Sequence, residues 1–205
     1  MGNLYDLNNL DKFNKEIQAN PKDANAYFNR AIVKSKLDDL IGAIDDYSKV
    51  IEFNPRDAEA YNNRGLLYKK AGEINLAVKD FTKAIEIDPN DENAYHNRGN
   101  SKSKLGQFKE AILDYNKAID INPKVRNSHH GRATAKDNIG DKIGAIEDYT
   151  KAIEINPIDA NSYYDRGITK ASMGDKIGAC TDLNKAGELG NAKAYDLLKI
   201  YDTKE

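Results

Sequence analysis

Apolar residues recur along the chain with the period of an amphipathic helix, in pairs of segments separated by short turns. The turns read AGE at 71–73, LGQ at 105–107, IGD at 139–141 and MGD at 173–175. Glycine in such a turn can adopt the left-handed conformation that ends a helix. The pattern therefore predicts an all-α chain built from antiparallel helix pairs.

The pairs recur every 34 residues, and the five prolines mark the period. They are Pro21, Pro55, Pro89, Pro123 and Pro157. A fixed period of this length is typical of a repeat array. We expect repeats at 24–57, 58–91, 92–125, 126–159 and 160–191, with an N-terminal capping helix in 1–23 and a C-terminal capping helix in 192–205.

Small and large side chains occupy fixed places in every repeat. Where the paired helices must approach closely, the residues are Ala31, Gly65, Gly99, Ala133 and Gly167 on the first helix and Ala43, Ala77, Ala111, Ala145 and Ala179 on the second. The large residues of the second helix are Tyr47, Phe81, Tyr115, Tyr149 and Leu183. Together with the prolines, this spacing resembles the tetratricopeptide repeat family over residues 24 to about 190.

That resemblance implies a right-handed superhelical solenoid of antiparallel helix pairs, with a concave groove lined by the first helices. The chain departs from the family pattern at the eleventh position of the repeat, where tyrosine is usual. Only Tyr68 is retained there, and the other repeats have Lys34, Lys102, Lys136 and Lys170.

Both ends differ from a full repeat. Residues 6–20 align with a second helix alone, and Asn9 and Glu16 replace the alanines that would face a first helix. At the other end, the face able to cover the last helix pair is formed by Ala194, Leu197, Leu198 and Tyr201. We interpret both segments as natural caps, since repeat arrays need polar outer faces at their ends.

An aspartate directly precedes most of the first helices, where its carboxylate can accept hydrogen bonds from exposed backbone N–H groups. These residues are Asp23, Asp57, Asp91 and Asp159. We expect each of them to act as a helix cap, whereas the fourth repeat has Val125 at this place.

Each repeat also carries an arginine that is followed sixteen residues later by an aspartate. In antiparallel helices the two positions lie at similar height, where a guanidinium can bind a carboxylate through two hydrogen bonds. A half-buried arginine without such a partner would be costly, so we interpret the set as structural pairs. They are Arg30 with Asp46, Arg64 with Asp80, Arg98 with Asp114, Arg132 with Asp148, and Arg166 with Asp182.

A ligand in the groove of such a fold would meet the sixth position of each repeat, as the resemblance implies. This position holds Asn29, Asn63 and Asn97, then Gly131 and Asp165. A side-chain amide both donates and accepts, so a ladder of amides can bind the backbone of an extended peptide. The arrangement is similar to the asparagine ladder of the O-linked N-acetylglucosamine transferases. We predict that the three asparagines are the centre of a peptide-binding surface.

Lysines beside this ladder favour a partner with an acidic segment or a free carboxylate. They are Lys36, Lys69, Lys70 and Lys104, whereas the last two repeats offer Asp137, Asn138, Asp165 and Ser172. The remaining predicted groove contacts are Phe28, Asn62, Leu66, His96, Asn100 and Tyr164.

Composition excludes several classes of partner. The 31 Lys and Arg residues against 33 Asp and Glu give a net charge of −2, which provides no general attraction to nucleic acid or an anionic membrane. The chain has no apolar run of membrane-spanning length. A single cysteine, Cys180, and a start without a secretory signal lead us to expect a cytoplasmic protein.

The sequence contains no phosphate loop, no pair of catalytic carboxylates and no nucleophile spaced from a base. His96, His130 and Asp165 would form a sparse metal site only if separate helices converged, so we expect neither a metal nor a cofactor. The sequence therefore predicts a non-enzymatic adaptor that binds a protein or peptide in its groove. The alternative is a self-assembling scaffold in which the partner is another copy, that is, a homo-oligomer.

Overall fold

The computed structural model describes the backbone of residues 4–202 and the side chains of residues 6–199. Within this range the chain forms twelve α-helices and no strand, so the predicted all-α helical-repeat fold is confirmed. The outermost residues of the two predicted caps, and the side chain of Tyr201, lie outside the described residues. The helices are α1 (Leu4–Ala19), α2 (Ala24–Lys36), α3 (Leu40–Phe53), α4 (Ala58–Lys70), α5 (Ile74–Ile87), α6 (Glu92–Lys104), α7 (Phe108–Ile121), α8 (Arg126–Asn138), α9 (Lys142–Ile155), α10 (Ala160–Ser172), α11 (Lys176–Glu188) and α12 (Ala192–Asp202).

The helices belong to two compact units, Met1–Ser101 and Lys102–Glu205. The boundary falls within α6, so the first unit contains α1 to α5 and most of α6. In both units each first helix starts at the residue where a repeat starts in the sequence.

The turn between the helices of a repeat uses the left-handed backbone region. Gly72, Gly106, Gly140 and Gly174 lie there with φ between 74° and 87°. The first repeat places Asp38 at this point with a φ of 65°. A side chain makes this conformation unfavourable, although short polar residues tolerate it best.

Contact between the paired helices depends on small residues that the surrounding side chains cover completely. At Gly65 an added Cβ atom would lie 2.7 Å from the ring of Phe81, so only glycine lets the ring approach this closely. The large buried residues of the second helices are Tyr47, Phe81, Tyr115, Tyr149 and Leu183.

Three of the four predicted aspartate caps bind the first turn of their helices. Asp23, Asp57 and Asp91 accept hydrogen bonds from backbone N–H groups of α2, α4 and α6. The prediction for Asp159 was wrong, because its side chain makes no capping bond. Its carboxylate oxygen Oδ2 instead accepts hydrogen bonds from both Arg126 and the hydroxyl of Ser162.

The outer helices pack on their neighbours, α1 against α2 and α12 against α11. Ala194 and Leu198 of α12 are buried against Leu183 and Ala186. The segment AYDLL at 194–198 aligns with AYNNR at 60–64, so Leu198 takes the place of the repeat arginine.

The predicted arginine and aspartate pairs that lie within one unit are joined by two hydrogen bonds each. In the second repeat, Arg64 Nε and Nη2 donate to Asp80 Oδ2 and Oδ1 over 2.8 Å each. Asp80 is only 5% exposed. The same geometry joins Arg30 to Asp46, Arg132 to Asp148, and Arg166 to Asp182. Arg98 and Asp114 belong to different units, and their pairing stays a prediction.

The lysines at the eleventh position bind the same aspartates, which accounts for the departure from the family pattern. Their Nζ atoms lie 2.7–2.9 Å from the carboxylates, in the pairs Lys34 and Asp46, Lys102 and Asp114, Lys136 and Asp148, and Lys170 and Asp182. Burial tends to raise the pKa of Asp148, but contacts from His129, Arg132 and Lys136 hold that pKa well below its ordinary value.

Each arginine has a further partner sixteen residues earlier, on the second helix of the preceding repeat or on α1. Sequence reasoning missed these partners because their residue type varies. Nη1 donates over 2.6–3.2 Å in the pairs Arg30 and Asn14, Arg64 and Ser48, Arg98 and Thr82, Arg132 and Asn116, and Arg166 and Thr150. In the four repeats whose arginine and aspartate lie in one unit, a single guanidinium therefore binds both the preceding second helix and the aspartate of its own repeat.

Replacing Arg64 by Leu should lower the free energy of unfolding by about 3–5 kcal/mol, because Asp80 would stay buried without its cation. The double variant Arg64→Leu with Asp80→Leu should be more stable than this single variant, since no unpaired charge remains buried. Urea denaturation followed by circular dichroism measures both. Lys83→Leu, which breaks an exposed pair with Glu86, is the control and should change stability little. A double variant less stable than Arg64→Leu would contradict the expectation.

Candidate functional site

The three predicted ladder asparagines of the first unit lie on α2, α4 and α6 in different surroundings. Asn29 is exposed, whereas Asn63 and Asn97 are half-buried. Each directly precedes the arginine of its repeat, so the position of the arginine limits where the amide can lie.

Asn97 and Asn63 use their amides differently because the residues facing them differ. Asn97 Nδ2 donates to Oδ1 of Asn62 over 3.1 Å. Asn63 hydrogen-bonds the hydroxyl of Tyr47, a phenol whose pKa burial raises to about 12. Phe81, the equivalent of Tyr47 in the next repeat, has no hydroxyl to offer Asn97. We refer to Asn62, Asn63 and Asn97 as the amide cluster.

The other predicted contacts of the first unit flank this cluster on the same helices. The amide nitrogen of Asn100 lies 2.8 Å from Nε2 of His96, one turn away on α6. Phe28 packs edge to face on Tyr47 with the ring centroids 5.3 Å apart. Leu66 is half-buried on α4. Polar groups and apolar surface therefore alternate here, as in surfaces that bind peptides.

The predicted lysines differ in how much of their charge is already compensated. Lys36 is exposed and Lys69 is half-buried. Lys70 lies 2.6 Å from the carboxylate of Asp38, and both side chains are largely exposed. Lys104 is exposed and belongs to the second unit, as does Tyr164. A partner carboxylate could replace Asp38 at little cost, because an exposed ion pair contributes little stability.

The series of amides ends in the second unit for two physical reasons. At Gly131 an added Cβ atom would lie 2.6 Å from the ring of Tyr115, which leaves no room for a side chain. At the next equivalent position, Asp165 replaces the amide by a carboxylate. The same repeat position thus offers amides in one unit and a negative charge in the other.

Asp165 belongs to a chain of polar contacts that links α8 to α10. His130 Nε2 lies 3.3 Å from Asp165 Oδ2, and His130 Nδ1 lies 3.0 Å from the hydroxyl of Ser162. Ser162 also contacts Asp159, whose carboxylate is 2.6 Å from Nη1 of Arg126. Burial lowers the pKa of His130, with Asp159 and Arg126 acting in opposite directions. We refer to these five residues as the α8–α10 network.

A serine, a histidine and an aspartate in contact suggest nucleophilic catalysis, but this network is not arranged for it. Ser162 is completely buried, and its hydroxyl is already bonded to Asp159. An attacking hydroxyl needs access to its substrate and a base to take its proton. The contacts instead hold the two helices together.

Within the residues that the structure describes, no three histidine, cysteine, aspartate or glutamate side chains are grouped so that they could hold a metal ion. His96 belongs to the first unit, and His130 and Asp165 belong to the second. None of the helices in the same part of the chain combines the length and the apolar character that a membrane span needs.

Family models match most of the repeat region. The model described as tetratricopeptide repeat matches residues 58–91 and 92–125, and a second model with that description matches 127–159. A third, described as TPR repeat, matches residues 36–72. Together these matches cover more than half of the chain. No curated protein sequence matches it.

Several solved structures of repeat proteins are similar to this chain over most of their length. YrrB, described as a TPR protein with an unusual peptide-binding site, is 25% identical with a TM-score of 0.77, over 91% of this chain and 97% of YrrB. A MamA protein is 26% identical with a TM-score of 0.76, over 84% of this chain and 94% of MamA. MamA from Desulfovibrio magneticus RS-1 is 20% identical with a TM-score of 0.77, over 81% of this chain and 94% of that MamA chain. At this identity the likeness shows the fold alone. The chain belongs to the tetratricopeptide repeat family of protein-interaction modules.

Proposed function

We propose that the chain is a non-enzymatic adaptor that binds an extended peptide along the first helices of its first unit. The observation that carries this is the amide cluster, whose half-buried side chains keep hydrogen-bonding groups that no described residue uses. The bond between Asn97 and Asn62 uses one N–H and one oxygen, so each amide still has a donor or an acceptor for a peptide backbone.

The likeness to YrrB supports a peptide as the ligand, because YrrB is itself described as having a peptide-binding site. Backbone hydrogen bonds to amides tolerate many side chains, whereas neighbouring groups such as Phe28 and Leu66 select among them. Lys36, Lys69 and Lys70 favour acidic residues in the bound segment, because opposite charges steer association. A free carboxylate at the end of a partner chain has the same chemistry.

Alanine at Asn29 and Asn97 together should weaken peptide binding about tenfold or more, because each lost hydrogen bond contributes about 1 kcal/mol. Asn63 is left in place because it also bonds the buried Tyr47. Peptides selected from a random library serve as probes, and fluorescence polarisation gives their dissociation constants. The control replaces Asn8 and Asn75, exposed asparagines on α1 and α5, and should bind normally. Equal affinity of both double variants would rule out Asn29 and Asn97 as binding groups.

The selected peptides should be enriched in Asp and Glu, and their affinity should fall as salt is added because exposed charges are screened. Lys36→Glu should weaken acidic peptides several-fold. Lys79→Glu makes the same charge change at an exposed residue of α5, the second helix of its repeat, and should have little effect on peptide affinity. Neutral or basic peptides that bind as well as acidic ones would argue against a cationic surface.

A homo-oligomeric scaffold is the second candidate function, favoured by apolar side chains exposed on the second unit. Ile143 and Ile177, which are equivalent in successive repeats, are 65% and 85% exposed. Ile139 and Met173, in the preceding turns, are 44% and 49% exposed. Exposed apolar residues that recur on successive repeats could form an interaction surface, and another copy of the chain could cover them.

If the chain self-associates here, Ile143→Lys with Ile177→Lys should reduce the mass measured by light scattering at high protein concentration. Ile41→Lys, at the equivalent position of the first unit, is the matched control and should leave the mass unchanged; Ile41 is 77% exposed. A monomer at every concentration would eliminate the scaffold.

A further inference from the structure

A depression of about 520 Å³ lies in the second unit beside the helices α10 and α12. Its polar lining includes a carboxylate, a phenol and two amides, and we refer to it as the Asp165 pocket. The lining residues are Asn161, Tyr164, Asp165, Gly190, Asn191, Ala192 and Lys193.

Asp165 is the only half-buried or buried carboxylate among the described residues of this unit without a lysine or arginine partner. Its Oδ2 contacts His130, while Oδ1 has no hydrogen-bond or ion-pair partner within the described part of the chain. The other such carboxylates are paired as Asp114 with Lys102, Asp137 with Lys142, Asp148 with Arg132 and Lys136, Asp159 with Arg126, and Asp182 with Arg166 and Lys170.

The surroundings of Asp165 are negative in spite of the neighbouring histidine. Burial, followed by the charges of Asp159 and Asp137, raises the pKa of Asp165 to about 6. Asp165 is therefore still ionised at neutral pH. Burial lowers the pKa of His130, so at neutral pH this ring has a single N–H and supplies no compensating charge. Because Ser162 gives its own proton to Asp159, that N–H lies on Nδ1 and donates to Ser162, and Nε2 faces Asp165 without a proton. A half-buried anion without a cation is unfavourable, and an incoming cation would relieve that cost.

Tyr164 gives the pocket a firm aromatic wall. Its ring packs on the apolar cluster of Leu183, Ala186, Ala194 and Leu198, and the same residue lines the pocket. An aromatic face attracts cations, and arginine in particular stacks on it. Asn161 and Asn191 add amide oxygens that can accept N–H groups. Lys193 is exposed, lines the pocket, and is the one residue there that would repel a cation.

We propose that the Asp165 pocket binds the cationic side chain of an arginine or lysine in a protein partner. The guanidinium or ammonium group donates to Oδ1 of Asp165 and lies against the ring of Tyr164. A bidentate guanidinium fits a carboxylate better than an ammonium does, so arginine binds more tightly than lysine. Binding here requires only that the second unit is open to a partner, and it is independent of the amide cluster in the first unit.

Amide NMR spectra of the full chain, titrated with Nα-acetyl-arginine amide, test this site. We expect saturable shifts of residues 161–165 and 190–193, and none with Nα-acetyl-citrulline amide, which has the same shape without the charge. Asp165→Asn should weaken binding by about tenfold or more, and Lys193→Met should strengthen it. Asp175→Asn is the control for charge, because Asp175 is an exposed carboxylate of the same unit. It should bind like the unmodified chain.

Acidification gives a second readout that does not depend on how a variant folds. As the pH falls through about 6, Asp165 becomes protonated and arginine binding should be lost, whereas binding to a carboxylate with an ordinary pKa would persist to about pH 4. Acidification also protonates His130 beside Asp165, and the charge of that ring disfavours a bound cation in the same direction. Equal shifts from the citrulline probe, unchanged affinity in Asp165→Asn, or binding that persists to pH 4 would each overturn the proposal. None of these results would affect peptide binding by the amide cluster.

Discussion

A buried aspartate on the second helix of each repeat determines where the first helix can lie. Its carboxylate is nearly free of solvent, so it is tolerated only because cationic groups take the place of water. A forked guanidinium satisfies both oxygens of Asp80 at once, and that geometry leaves Arg64 little freedom. Asn63 precedes Arg64 directly and therefore projects from the same turn of α4 in a different direction. The residues proposed to meet a partner are thus held by the pair beside them.

The helical repeat could be predicted from the sequence because its signals are strictly periodic. Helix starts, the left-handed turns and the spacing between Arg64 and Asp80 all recur every 34 residues. The bond from Arg64 to Ser48 could not be predicted in the same way, because serine, threonine and asparagine alternate at that place. A hydrogen-bond acceptor is required there, but its residue type is not.

The candidate site was less predictable, because its chemistry depends on neighbours from other helices. Asn63 and Asn97 look equivalent in the sequence, yet one hydroxyl distinguishes their surroundings: Tyr47 has it and Phe81 does not. Asp159 carries the same capping signal as Asp57, but Arg126 and Ser162 divert its carboxylate. The sixth position offers an amide in one unit and the carboxylate of Asp165 in the other. Membership of the family therefore identifies the fold, whereas individual side-chain contacts decide what each part of the fold can bind.

An arginine paired within its own unit, such as Arg64, makes two kinds of bond that differ in strength, and this difference has a mechanical consequence. Within a repeat, the guanidinium faces a buried carboxylate and the bond is charged on both sides. Towards the preceding repeat, it faces a neutral hydroxyl or amide such as Ser48 or Asn14. Bonds between two ions are stronger than bonds from an ion to a neutral group. When a unit is stretched, the bonds between neighbouring repeats should therefore break before the bonds within a helix pair. Each unit should deform mainly between its repeats, while the helix pairs keep their shape.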